Sequence, residues 1–173
     1  MISNSTDANL FEYLGNLYSY QGALSFNPLE FGIETERISP NRLGYQAVFK
    51  IYFNSLILDS LKVAYFKTRI EEDGIETSFP PPLGKSIAYD YDNFKTEGFT
   101  HDYSYIDLEY QFTGDITISR RVDTIQGKKA DELIAIDEQY TLKFEFGNSI
   151  YESESIYVSN VIYRTLNNTK KRK

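Results

Sequence analysis

Few side chains in this chain suit bond-making chemistry, and their spacing argues against most of it. The single histidine, His101, stands beside Asp102 in "GFTHDYSY". A Ser–His–Asp site would need His101 as its base. Adjacent side chains on a strand point to opposite faces, so this pair does not face itself there, and no GxSxG nucleophile elbow occurs. Asp107 and Glu109 stand two apart, which on a strand puts both carboxylates on one face about 6–7 Å apart, within the range glycosidases use. Acidic alternation is equally what a solvated sheet face shows, and there is no Trp to stack a sugar. "LGKS" at 83–86 matches the end of a phosphate-binding loop, but Phe79 stands where that motif needs glycine, and three prolines at 80–82 remove the N–H donors. "DYDN" at 90–93 offers Asp90, Asp92 and Asn93 as the start of a calcium loop. The continuation "FKTEGF" lacks the glycine that such a loop requires at its sharp turn. With no cysteine, disulfides, thiol nucleophiles and thiolate metal sites are excluded. The expectation is a chain with no catalytic residues, no metal and no cofactor.

What remains is charge and aromatic rings. The net charge is −7, and four of the 18 basic residues crowd into the last four positions, Lys170, Lys171, Arg172 and Lys173. The body is therefore strongly acidic, which disfavours a broad nucleic-acid surface. Arg120 and Arg121, with "GKK" at 127–129, form its only local run of positive charge. The chain carries 15 Tyr and 12 Phe. Tyr tolerates half-burial because its ring packs while its hydroxyl stays hydrated or bonded. In "YSYIDLEYQF" at 103–112, Ile106, Leu108, Tyr110 and Phe112 complete one apolar strand face. Tyr103, Tyr105, Asp107 and Glu109 fall on the other. Two further rings are surplus to that core face, so Tyr103 and Tyr105 are predicted to anchor a contact between chains, with Asp107 and Glu109 as its wetter rim. Arg120, Arg121 and the tail Lys170, Lys171, Arg172 and Lys173 are candidates to meet acidic patches of a neighbour.

These residues must be positioned by a largely β body. "TDANLFEYLGNLYSY" places Leu10, Leu14 and Leu17 on one helical stripe behind Thr6 or Asp7 as a cap, so a helix is expected over about 7–20. An extended connector at about 21–44 follows, with Phe26, Leu29 and Phe31 pinning it to the body. Residues 45–53 alternate, with Ala47, Phe49, Ile51 and Phe53 on one face. "LILDSLKVAYF" is a strand with a bulge near Asp59 and Ser60. Asp73-Gly74 marks a hairpin turn, and Thr113-Gly114 a second. "LIAIDEQYTLKFEF" alternates with Ile134, Ile136, Tyr140, Leu142, Phe144 and Phe146 on one parity. Its start, "KKADELIAIDEQ", is also compatible with a helical turn.

The whole suggests a mainly β fold, an antiparallel sandwich or barrel of about seven strands with one N-terminal helix. One domain spans 1–166 and a basic polar tail 167–173. No basic start or continuous apolar run opens the chain and no long apolar segment follows, so neither a secretion signal nor a membrane span is expected. In its mix of Tyr, Phe, Asn and Ile without Cys or Trp, the composition resembles small virion or tail components of bacteriophages. The two-faced aromatic strand, the lack of catalytic groups, the long connector and the charged tail point to a non-enzymatic structural or assembly subunit with protein partners, as a homo-oligomer or in a larger complex, in the cytoplasm or a virion. The alternative is a β-barrel lined by Phe49, Ile51, Tyr110 and Phe144 that binds a small apolar or aromatic ligand.

Overall fold

Aromatic and branched residues at alternate positions fit a pleated, half-buried surface, and nearly every segment that carries them is a strand. The computed structural model describes residues 9–66, 69–70, 76–77, 80–84, 86–89 and 97–164. Thr6, Asp7, Lys85, Asp90, Asp92, Asn93 and the tail residues Lys170, Lys171, Arg172 and Lys173 lie outside the described residues. The strands in chain order are β1 (Leu10–Tyr13), β2 (Asn16–Gly22), β3 (Tyr45–Tyr52), β4 (Ser55–Val63), β5 (Arg69–Ile70), β6 (Glu76–Thr77), β7 (Ser86–Tyr89), β8 (His101–Ser104), β9 (Leu108–Glu109), β10 (Gly114–Gln126), β11 (Glu132–Glu145), β12 (Asn148–Glu152) and β13 (Ile156–Tyr163).

The N-terminal helix expected over 7–20 is not formed. Residues 10–22 make a hairpin, β1 against β2, in which Phe11 faces Tyr18 and both are buried. The leucines of the helical stripe point the other way, with Leu14 70% and Leu17 54% exposed. Gly15 does not weaken a helix here. It is the second central residue of a two-residue turn in which Leu14 (φ 49) and Gly15 (φ 78) are both left-handed, the twist that matches strands in a tight hairpin.

Hydrogen-bonded neighbours run β12-β11-β10-β2-β1-β3-β4-β8-β7. The pairs along this path are antiparallel except β1 with β3, which is parallel. The end of β4 also meets β12, through Asn148 opposite Ser55. Leu56 N–H donates to the Gly147 carbonyl (2.7 Å) and Ser149 N–H to the Asn54 carbonyl (2.8 Å). β4 and β12, at the two ends of a seven-strand path, are thus in contact. One core cluster holds Phe11, Tyr18, Phe49, Leu56, Leu58, Leu61, Ile116, Ile118, Leu142 and Phe144, all buried. Phe49 is the hub, with its ring centroid 5.3 Å from Tyr110 and 6.2 Å from both Tyr20 and Phe26.

The connector is pinned by two of the three residues expected, Phe26 and Phe31. Phe26 is buried and stacks on Phe31 at 5.8 Å, but Leu29 is 58% exposed and Leu24 and Ile33 take its place in the core. A short 3-10 turn, Pro28–Phe31, is capped by Asn27, whose side chain accepts from Leu29 N–H at 3.1 Å.

The bulge in β4 is where the alternation breaks. Val48 faces Ser60 and Phe49 faces Leu58, leaving Asp59 as the extra residue. The freed Asp59 carbonyl accepts from Ile106 N–H at 3.0 Å. Residues 103–112 are not one strand. Tyr105 (φ 52) and Asp107 (φ 49) are left-handed and divide β8 from β9. No hairpin forms at Thr113-Gly114, because β9 pairs with β4 rather than with β10. β5 and β6 pair as the arms of the expected hairpin, while Asp73 and Gly74 lie outside the described residues. "KKADELIAIDEQ" holds no helical turn; β11 is extended from Glu132 to Glu145.

Candidate functional site

The groups suited to chemistry are dispersed and largely engaged. His101 is buried on β8, and its Nδ1 lies 2.8 Å from Thr100 Oγ1. Burial lowers its pKa, so the ring is neutral near pH 7. Tyr103 does not lie on an outer face. Because the backbone turns over at 105–107, both Tyr103 and Ile106 point inward; Tyr103 is fully buried and its hydroxyl donates to the Pro81 carbonyl at 2.7 Å. Tyr105 is 69% exposed. Asp107 precedes β9 in a left-handed conformation, so it does not share a strand face with Glu109. Glu109 lines a small surface cleft of about 60 Å³ with Ser55, Leu56, Tyr110, Phe146 and Asn148.

Arg120 and Arg121 pair with carboxylates across the β10–β11 ladder. Arg120 Nε is 2.9 Å from Glu138 and Arg121 Nε is 3.0 Å from Asp137. Arg120 also lies over the Tyr18 ring at 5.5 Å. Burial raises the pKa of Glu138, but hydrogen bonds from Arg120, Tyr140 and Tyr18 outweigh it and hold the carboxyl below its usual range. These arginines stand seven or more positions from Lys128 along an extended strand, about 20 Å or more, so the expected basic cluster is divided.

Two apolar surfaces stand out instead. On β11, even-numbered side chains face the core, and Leu142 and Phe144 are buried there. The same face continues through Glu138 to Ile136 and Ile134, but the body does not. Beyond Glu138 the strand runs out between β10 and β13 as a three-stranded arm. Across it, Ile125 of β10 faces Ile134, Val161 of β13 also faces Ile134, and Tyr157 faces Glu138. Ile125, Tyr157, Val161 and Tyr163 are 44–65% exposed. Among the described residues no second layer lies over this core-type face, which is how an apolar patch becomes a contact surface.

The second surface is made by three hairpin tips. The turns of β1–β2, β3–β4 and β11–β12 each place a bulky residue first in a left-handed pair: Leu14, then Phe53 (φ 44), then Phe146 (φ 48). They are 70%, 87% and 70% exposed. The β3–β4 and β11–β12 tips are joined by the bonds that seal β4 to β12. The β1–β2 tip runs out beside β3, and Tyr13 donates to Glu152 at 2.7 Å. All three therefore sit at one end of the body.

Sequence reasoning placed neither surface. A signal for the arm was present in the length of the β11 alternation, 14 residues against a usual 5–6 or so. For the tips it lay in the two-residue gaps "LG", "FN" and "FG" between alternating runs. Among the described residues no helix is long and apolar enough to cross a membrane. No family model, no curated protein and no solved structure matches this chain.

Proposed function

We propose that this chain is a non-enzymatic assembly subunit. Its β body closes as a small barrel by the β4–β12 contact, and its arm docks on other protein chains in an oligomer or a larger particle such as a virion or phage tail, in the cytoplasm or the virion itself. The observation that carries this reading is the apolar face of β11 continuing past the body onto Ile136 and Ile134, flanked by exposed Ile125, Tyr157, Val161 and Tyr163. Covering that face removes apolar surface from water, so a partner over it stabilises the arm as well as the complex.

Magnitudes set what that partner must do. Full burial of a large apolar side chain contributes about 1.5–3 kcal/mol. The four residues are already about half covered, so together they add about 3–6 kcal/mol on that scale. Association costs about 4–15 kcal/mol. These four side chains alone only reach the lower end, so a stable contact must recruit the strand edge or the hairpin tips too.

The small-ligand reading is less well supported. Phe49, Tyr110 and Phe144, proposed to line a cavity, pack on one another's neighbours, with Phe144 6.0 Å from Phe112 and 6.4 Å from Phe11.

The test is the double substitution Tyr157→Ser with Val161→Ser, followed by sedimentation. Neither residue is buried, so the fold should survive and association should weaken by about tenfold or more, the effect of losing one modest interface anchor. A folded variant that associates as tightly as the parent would sink the reading.

A further inference from the structure

β13 has one edge on β11, and among the described residues no strand covers its other edge. The backbone directions are fixed. Arg164 N–H donates to the Asp131 carbonyl at 2.8 Å, and the register runs from Glu132 opposite Tyr163 to Gln139 opposite Ile156. Hydrogen bonding alternates along an antiparallel pair. Even-numbered residues of β13 therefore bond to β11, and Tyr157, Ser159, Val161 and Tyr163 turn their N–H and C=O groups outward. Proteins blunt such edges with charges, prolines or bulges. From Ile156 to Tyr163 there is none, in a chain that is 25% charged.

We propose that this edge pairs antiparallel with the same edge of a second copy, about a two-fold axis at Asn160. In such a pair, outward-bonding residues must meet outward-bonding residues, so opposed positions share parity. Centred on Asn160, the register sets Tyr157 opposite Tyr163, Val158 opposite Ile162 and Ser159 opposite Val161. Asn160 meets its own copy, where each amide donates to the other. Two of the three flanking pairs match large side chains, Ser159 lies against Val161, and the only amide meets an amide. The missing charge points to a like copy rather than a foreign strand, because a two-fold axis brings every nearby charge against its own sign, and like charges directly opposite destabilise a sheet. The joined sheet has six strands, β10, β11 and β13 from each copy, and its apolar face is doubled. This inference rests on the assembly reading and supplies its partner and register.

The chain has no cysteine, so one introduced cysteine is its only thiol. At the axis, opposed Cβ atoms in a non-hydrogen-bonded pair stand about 4.5–5.5 Å apart, a small adjustment from disulfide geometry. Under mild oxidation Asn160→Cys is expected to form covalent dimers, and Ser159→Cys, which faces Val161, to form few. Ser159→Pro removes one outward N–H and leaves the bonds to β11 intact. It should stay folded and lose about tenfold or more in dimer affinity. If Asn160→Cys stays monomeric on oxidation while the parent associates, the edge pairing is overturned and the assembly reading stands. Efficient cross-linking of Ser159→Cys with little at Asn160→Cys overturns the axis. A parent chain that is monomeric at every concentration overturns both. Should Ser159→Pro not fold, the two cysteine variants decide alone.

Discussion

Phe49 and Phe53 lie four positions apart in one hairpin and do opposite things. Phe49 is fully buried among Tyr20, Phe26 and Tyr110, while Phe53 is 87% exposed at the tip in a left-handed conformation. Phe49→Ala should cost about 3–5 kcal/mol by urea unfolding, through lost burial and the cavity left behind. Phe53→Asn should leave stability unchanged or raise it by up to about 1 kcal/mol, because Asn accepts a left-handed turn position with less strain. A large loss from Phe53→Asn would mean that the tip packs on the body. His101 and Glu138 set the response to acid. Burial holds the imidazole pKa below its ordinary 6.5. The unfolded chain then takes up that proton at a pH where the folded chain does not, so folding is penalised as pH falls below 6.5 and unaffected above it. Glu138 is held below its ordinary 4.5, burial notwithstanding, and its stabilisation is lost only as pH falls through the lowered folded value. His101→Gln should therefore flatten the stability profile just below pH 6.5 and leave the steeper acid limb. An unchanged upper slope would contradict the buried neutral ring.

At the scale of elements, alternation was legible wherever turns used ordinary chemistry and illegible where they did not. The β3 face through Ala47 and Phe49, the extra residue at Asp59 and the even face of β11 all follow from the sequence pattern. The first hairpin does not. Leu10, Leu14 and Leu17 fit a helical period while Phe11 and Tyr18 fit strands, and only a left-handed Leu14 decides between them. Leucine is no turn former, so the helix looked better. The same cause hid the inward Tyr103, since Tyr105 and Asp107 reverse the pleat in mid-pattern. Gly147 is the opposite case, a glycine that the fold requires. Its φ is +79, a Cβ there would lie 2.5 Å from the Tyr110 carbonyl oxygen, and its own carbonyl bonds Leu56 across the β4–β12 seam. Gly147→Ala should destabilise by about 2 kcal/mol or more from strain and collision. A shift under about 0.5 kcal/mol in thermal unfolding analysed at the midpoint would show that the seam yields freely.

For the whole molecule, composition settled the class of fold and spoke only indirectly to its use. A chain rich in Tyr and Phe without Trp or Cys made a mainly β body. The uncovered arm was not legible, because sequence patterning shows which face of a strand is apolar and not whether anything packs on it. β11 carries one stripe that is core at Phe144 and half-buried at Ile134 without any change in residue type. Tyr105 stays exposed, Arg120 and Arg121 hold Glu138 and Asp137 across the ladder, and further apolar surface lies on β10, β11 and β13. The central claim is that this arm exists to be covered by another chain. The most direct measurement is the molar mass of the unaltered protein by light scattering across a dilution series. The account predicts a mass at a multiple of 20.0 kDa that falls toward the single chain on dilution. A constant 20.0 kDa at every concentration, with the arm folded, would contradict it.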